Sequence, residues 1–433
     1  MHDKEETSSD KPCALLWDES LIWGLMARQA LTEAGLPFDL LESAEIRQGA
    51  LSRYRMIFIP GGWASNKMAA LGDRGQEEIR CFVKNGGSYF GICGGAGMAT
   101  EEGLGLLPIT RKPTAVRVPS FSGGIRLSCI DHEIWRGIET PCFSAWWPSQ
   151  FQIQERHIRI LAAYEEARTD AFSADINVAD GEIIGWPDLE RRYGILLNPA
   201  RLYGEPAVME GRYGRGRVIL SLIHFDTPGD QNGAVVLRNI WNYLTSGCFS
   251  RTQMSSAAPE GRSLPELSPE ILGLLEGIKA AVEGLMATGK RNFLWHRRNA
   301  LVLLWRRGVR GLEYSTLIAM IREILRCLAD ARTACPEGMT ERAGSMKASQ
   351  LNEDLADIRE QLIPFIEKAQ RLLVRERLYM QSSPLSPLDC TDVEINHLRQ
   401  ELFGSAMRHG GDFKRLIDAV DRLLFRLIKE AGP

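Results

Sequence analysis

The sequence predicts two unlike parts: a doubly wound α/β domain, then an all-α domain. Three observations carry this reading. From residue 13 to residue 98, short apolar runs alternate with helical patterns, as in a parallel sheet covered on both faces. Glycine-rich turns, Pro60-Gly61-Gly62 and Gly94-Gly95, close two of those runs, at the strand ends where such sheets place their sites. At about residue 250 the composition turns rich in Ser, Pro, Ala and Glu. Beyond it apolar residues recur at helical spacing with almost no strand signal.

Taken in order, residues 1–11 are polar and acidic without an apolar core, so they read as a disordered tail and not a secretion signal. The α/β domain is expected over 12–247. Cys13-Ala14-Leu15-Leu16-Trp17-Asp18 is a buried strand bounded by Pro12. Residues 21–34 carry a helical pattern stopped by Gly35 and Pro37. Phe38 to Leu41 and Met56 to Ile59 are two further strands, the second ending in Pro60-Gly61-Gly62. A helix over 73–85 closes at Asn85-Gly86-Gly87 and leads into the strand before Cys93. Residues 114–220 are less regular, with strands expected at 125–130, 158–164 and 217–223 and room for antiparallel additions. Tyr213-Gly214-Arg215-Gly216-Arg217 reads as a tight hairpin turn, and 233–244 as a closing helix. A linker is expected over 248–268, then a helical bundle over 269–433 with segments at 270–287, 292–306, 312–330, 348–380, 392–408 and 412–429. Pro364 should kink or break the longest of these.

With 433 residues the chain holds two or three domains. A net charge of −3 gives no global field for nucleic acid or an anionic membrane. No apolar run approaches the ~20 residues that span a bilayer. Nine scattered cysteines without a Cys-x-x-Cys argue against a disulfide framework and a structural zinc, and point to a reducing cytoplasm.

The chemistry concentrates at Phe90-Gly91-Ile92-Cys93-Gly94-Gly95. A strand runs into a small-residue turn with a cysteine at its apex and a helix behind it, the pattern of a nucleophile elbow. The same pattern also suits a small buried cysteine in a βα turn. A helix N-terminus behind the cysteine would favour the thiolate. A cysteine nucleophile needs a base and a group to orient it. His224-Phe225-Asp226, at the end of the last strand, supplies both if the two side chains share a face by strand alternation. The N–H groups of Gly62 and Gly94 are candidates for an oxyanion hole. Gly61, Trp63, Trp147 and Ser149 are candidates for contacting substrate.

Ile57-Phe58-Ile59-Pro60-Gly61-Gly62, Gly91-Ile92-Cys93-Gly94-Gly95 and His224-x-Asp226 resemble the ordered landmarks of class I glutamine amidotransferase-like domains, which implies a flavodoxin-like doubly wound parallel sheet. Over residues 12–247 the chain is similar, more closely, to the N-terminal domain of biotin-protein ligases. The elbow Gly86-Gly87-Ser88-Tyr89-Phe90-Gly91-Ile92-Cys93-Gly94-Gly95 and the turn Tyr213-Gly214-Arg215-Gly216 carry that likeness. It supports Cys93, His224 and Asp226 as a triad; no metal or cofactor is expected. Two departures stand out. Gly97 occupies the position where glutamine amidotransferases carry glutamine, and His224-Phe225-Asp226 stands for their His-Pro-Glu. Nothing in 250–433 resembles a biotin-ligase catalytic domain.

In the C-terminal part, residues 291–311 interleave arginines with tryptophans. The expected reading is an amphipathic helix with solvated arginines, not a nucleic-acid surface. The bundle would serve an oligomer or a protein partner. Two functions stay open: a Cys-His-Asp hydrolase or acyl/amide transferase acting on a small molecule or peptide, and a non-catalytic module binding such a ligand in the same pocket.

Overall fold

The computed structural model describes residues 12–154, 157–245, 267–334, 347–383, 385–386, 390–405 and 409–431. The expected tail over 1–11 and all but the last two residues of the expected linker lie outside this set. The chain forms two compact units, Met1–Ser255 and Ser256–Pro433.

The first unit opens with β1 (Cys13–Leu16), α1 (Leu21–Glu33), β2 (Phe38–Leu41), α2 (Ser43–Arg47), β3 (Met56–Ile59), α3 (Ala64–Lys84), β4 (Ser88–Ile92) and α4 (Gly94–Met98). Every residue of β1, β3 and β4 is buried, as strands covered on both faces require. Next come β5 (Ile109–Arg111), β6 (Phe121–Cys129), β7 (Cys142–Trp146), β8 (Phe151–Ile153), β9 (Arg159–Ala167), β10 (Phe172–Ser173), β11 (Ile176–Asn177), α5 (Val178–Ile184) and α6 (Trp186–Tyr193). A hairpin of β12 (Pro206–Tyr213) and β13 (Gly216–Ser221) follows, and α7 (Gln231–Thr245) closes the unit.

One sheet organises the strands other than β5 and β8 in the order β11-β10-β6-β9-β12-β13-β4-β3-β1-β2, with β7 on β6, while β5 and β8 pair with each other. Strands β2, β1, β3, β4 and β13 are mutually parallel. Their order is that of a flavodoxin-like doubly wound sheet. The rest of the sheet, from β12 outward, is antiparallel, so the irregular middle of the sequence extends the parallel core rather than interrupting it. The β12–β13 hairpin has its own anchor. Gly214 has φ +58°, and Arg215 N donates to Lys84 O at 3.0 Å. A Cβ at Gly216 would lie 2.3 Å from Gly87 O, so the two glycine turns of the motif pack on each other.

The second unit is helical: α8 (Pro269–Arg291), α9 (Gly311–Ala334), α10 (Ala348–Tyr379), α11 (Val393–Phe403) and α12 (Gly411–Ala431). The helix expected over 292–306 is instead a hairpin, β14 (Trp295–Arg297) and β15 (Leu303–Trp305), with Trp295 opposite Trp305. Asn299 turns the chain there by accepting bonds from the N–H groups of Leu301 and Val302. The two tryptophans pack where helices carry glycine. A Cβ would lie 1.9 Å from the Trp295 ring at Gly289 and 2.0 Å from the Trp305 ring at Gly311. Helical spacing of the apolar residues is therefore outweighed by cross-strand pairing and turn chemistry. Pro364 sits inside α10, which runs unbroken through it while Leu362, Phe365 and Ile366 stay buried. Tyr314, Phe365, Phe403 and Phe413 form the aromatic centre of this unit.

That unit also buries an ion pair. Arg399 Nε donates to Glu376 Oε1 at 2.9 Å, and its other nitrogens donate to Ser386 O and Gly308 O. Burial pushes the Glu376 carboxyl up to about 7, against the opposing pull of Arg399. The folded protein thus holds this proton more tightly than the unfolded chain. The resulting stability is complete below the ordinary carboxylate range and is lost as pH rises through about 7. The stability difference between wild type and Glu376→Gln, read from urea unfolding, should fall by roughly 2 kcal/mol between pH 5 and pH 8. A difference that does not change with pH contradicts this.

Candidate active site

The elbow forms because the backbone at Cys93 takes φ +49°, ψ −102°, which few side chains tolerate. Small neighbours make the turn possible. A Cβ would lie 1.8 Å from Gly62 O at Gly94, 2.0 Å from Ile59 O at Gly95 and 2.6 Å from Gly95 C at Gly91. Tyr89 fastens the turn by donating from its hydroxyl to Gly95 O at 2.6 Å. Cys93 N donates to Ser221 O at 2.7 Å, tying the apex to the end of β13. Helix α4 behind it is five residues long, too short for the dipole expected from the sequence to count for much.

The titratable group adjoining Cys93 is His224. The strand ends at Ser221, so His224 and Asp226 are brought together by a turn and not by strand alternation. Ser221 Oγ donates to Ile223 O and accepts from Ile223 N, and Thr227 N donates to His224 O at 3.1 Å. Within that turn His224 Nδ1 stands 3.0 Å from Asp226 Oδ1, and both side chains are fully buried. Burial pulls the imidazole down. The Asp226 charge, its hydrogen bond and the adjoining Cys93 side chain outweigh this and push it up to about 9. The carboxylate favours the form in which Nδ1–H donates to it. Nε2 is buried without a completed hydrogen bond, and so is Asp226 Oδ2.

Aromatic rings pack the base in place. Trp23 of α1 lies against the His224 ring, with centroids 4.8 Å apart, and meets Trp147 edge-on at 6.1 Å. Trp147 has φ +49° and is half-buried. Trp146 Nε1 donates to Thr227 Oγ1, which donates to His224 O. Gly61 leaves room for this stack, since a Cβ there would lie 3.0 Å from His224 Cε1 and 3.1 Å from Trp23 Cγ.

The sequence-predicted residues thus fall into three groups. Cys93, His224, Asp226, Gly61, Gly62 and Gly94 gather at the carboxyl ends of β3, β4 and β13. Gly62 has φ +106° and backs onto Gly94. Gly94 begins α4, so its N–H has no acceptor within the helix. Trp147 joins them through Trp23, and Ser149 is buried and accepts from Arg117 Nη1 at 3.1 Å. Trp63 stands 36% exposed at the N-terminus of α3, beside Gly62.

Several site residues lie outside those the sequence predicts. Trp23 sits in a helical pattern that reads as core. Arg111 lies just before the irregular middle, and Arg117 and Tyr164 lie within it. Arg111 Nη2 would be 3.3 Å from a Cβ on Gly97, one helical turn past Cys93. Tyr164 is buried with its hydroxyl unpartnered, and Cys93 is among the groups that raise its pKa. A signal is present: no acidic residue occurs between Glu102 and Asp131, while Arg111, Lys112, Arg117 and Arg126 do.

Among the described residues no helix is long and apolar enough to cross a membrane. No curated protein sequence matches the chain. Among solved structures, the chain is similar to a proposed GMP synthase component from Thermoplasma acidophilum, with 12% identity, 55% of this chain and 95% of that chain covered, and a TM-score of 0.37. It is similar to a glutamine amidotransferase, with 15% identity, 55% and 100% covered, TM-score 0.36. A third is PurLQS from Thermotoga maritima, with 15% identity, 54% and 99% covered, TM-score 0.36. Residues 50–102, which hold β3, α3, β4 and the Cys93 elbow, match the family described as biotin-protein ligase, N terminal.

Proposed function

We propose that the first unit is a cysteine-dependent hydrolase or acyl/amide transferase, with Cys93 as nucleophile, His224 as acid–base group and Asp226 as the residue that orients it. The observation that carries this reading is the fully buried His224–Asp226 pair beside a cysteine held at an unfavourable backbone angle. Strain and buried charge of this kind concentrate at functional sites.

In this reading the Cys93 thiolate attacks a carbonyl carbon and a C–S bond forms. The carbonyl oxygen takes the electron pair and is held by the N–H groups of Gly62 and Gly94. As the tetrahedral centre collapses, the C–N or C–O bond breaks and the leaving group takes the proton from the His224 imidazolium. His224 then deprotonates the water or acceptor that attacks the thioester, and Cys93 leaves as thiolate. Glutamine hydrolysis is not proposed, because Gly97 stands where the glutamine amidotransferases carry glutamine. Biotin ligation is not proposed for a chain whose second unit is a helical assembly.

The test is intact-mass and peptide mass spectrometry of the full chain with a panel of aryl esters, thioesters and anilides. The reading expects hydrolysis of at least one compound, an acyl adduct on Cys93, and loss of both in Cys93→Ala. Hydrolysis that survives Cys93→Ala contradicts it. A complete lack of adduct and turnover across the panel, with one compound binding reversibly at the site, favours the non-catalytic module.

A further inference from the structure

We propose that the Cys93 site takes a small acyl or amide compound bearing an anionic group, seated between the guanidinium groups of Arg111 and Arg117. This rests on the reading of Cys93 and His224 as the reacting site and names its substrate class.

Both arginines lie near the chemistry, and each feels the other's charge. Arg111, at the end of β5, lies over Gly97, whose N–H donates to Cys93 O at 2.9 Å. Its guanidinium is therefore one helical turn from the nucleophile, over the face that Gly97 leaves open by lacking a side chain. Arg117 donates to Ser149 Oγ at 3.1 Å and Thr114 Oγ1 at 3.1 Å. Ser149 is two residues past Trp147, the ring that abuts Trp23 and, through it, His224. Burial and the Arg111 charge hold Arg117 below its ordinary value while Cys93 works the other way, so the three groups feel one another.

Two like charges set together are unfavourable unless an opposite charge joins them. Among the described residues no carboxylate pairs with either arginine. The neighbouring Lys112, by contrast, is matched by Glu205 at 2.6 Å. Arg117 Nε is buried and has no hydrogen-bond partner. The Tyr164 hydroxyl, also buried and unpartnered, lies within electrostatic reach of Cys93 and remains a protonated donor because burial raises its pKa. A guanidinium whose Nε lacks an acceptor, and whose other nitrogens meet only neutral hydroxyls, suits a carboxylate or a phosphate.

The test compares alkylation of Cys93 by iodoacetate, which is anionic, and iodoacetamide, which is neutral and nearly the same size. Rates are read by peptide mass spectrometry on the full chain, with glutathione measured in parallel. The ratio of the two rates cancels any change in the amount of thiolate. Wild type should show an iodoacetate-to-iodoacetamide ratio roughly tenfold above that of glutathione. Arg111→Gln and Arg117→Gln should each lower it several-fold, and the double variant should return it to the glutathione value. Arg111 is exposed, so Arg111→Gln keeps the test open if Arg117→Gln fails to fold. Protection of Cys93 from iodoacetamide by acetate and succinate, or by inorganic phosphate, then says which anion fits. A wild-type ratio no higher than that of glutathione overturns the proposal, as does a raised ratio that survives both substitutions. The outcome is separable from that of the catalytic reading, because the ratio depends on the arginines and the absolute rate on His224.

Discussion

Asp226→Asn should lower Cys93-dependent turnover by roughly 10³-fold or more while leaving the protein folded, by analogy with the loss when an orienting carboxylate becomes an amide. The size follows from what the carboxylate does. Asp226 Oδ1 accepts from His224 Nδ1 at 3.0 Å in a site with no solvent exposure. There it both fixes the ring and holds it charged against burial. An amide can present its N–H to Nδ1 and select the wrong tautomer. The His224 titration, followed by NMR of its ring proton, should also move down from about 9, because burial then acts without the opposing carboxylate. The sign for stability follows. A histidine whose folded pKa is raised contributes stability that is complete below its unfolded value of about 6.5 and is lost as pH rises through about 9. Asp226→Asn should remove that contribution near neutral pH and flatten the decline toward pH 10. Unchanged turnover with an unchanged His224 titration would show that Asp226 does not orient the base.

The largest effect on stability is expected at Gly94. A Cβ there would lie 1.8 Å from Gly62 O and 2.7 Å from Gly62 C, both backbone atoms that can move only with the end of β3. Gly94→Ala should cost on the order of 4 kcal/mol or more and lower the melting temperature by roughly 10 °C. Gly97→Ala is the control on the same short helix. Its nearest atoms would be Arg111 Nη2 at 3.3 Å, the end of a flexible side chain, and Ala64 Cβ at 3.8 Å. That variant should stay within about 1 kcal/mol of wild type. Equal melting temperatures for the two variants would mean that the β3 and β4 turns are not in the close contact described. The comparison also separates two roles of the glycines: Gly94 is required by the packing of the elbow, and Gly97 leaves space over the site.

The parallel half of the sheet is legible in the sequence because fully buried strands write themselves as continuous apolar runs, as at Met56-Ile57-Phe58-Ile59. Glycine turns mark their ends. The antiparallel half is harder, because strands such as Arg159–Ala167 alternate only weakly and include Glu165 and Glu166. The hairpin at Trp295–Trp305 runs against its sequence pattern, since Leu and Trp at helical spacing suit either structure until the Asn299 turn is weighed. At the site, local pattern points to Cys93, His224 and Asp226, yet it does not reveal the turn that joins the last two. Trp23 of α1, Arg111 of β5, Arg117 and Tyr164 of β9 come from separate elements far upstream of His224. A side chain whose role depends on long-range packing leaves little trace in its own neighbourhood.

The central claim is that Cys93 and His224 act as a coupled pair, and the rate of Cys93 alkylation by iodoacetamide tests it most directly. In the proposed pair His224 exchanges the proton of Cys93, and its removal leaves the sulfur without that partner. Measured on the full chain at pH 7, His224→Ala should slow labelling of Cys93 by about tenfold or more, with the exposed Cys81 as internal reference. Equal Cys93 rates in wild type and His224→Ala, with Cys81 unchanged, would contradict the account.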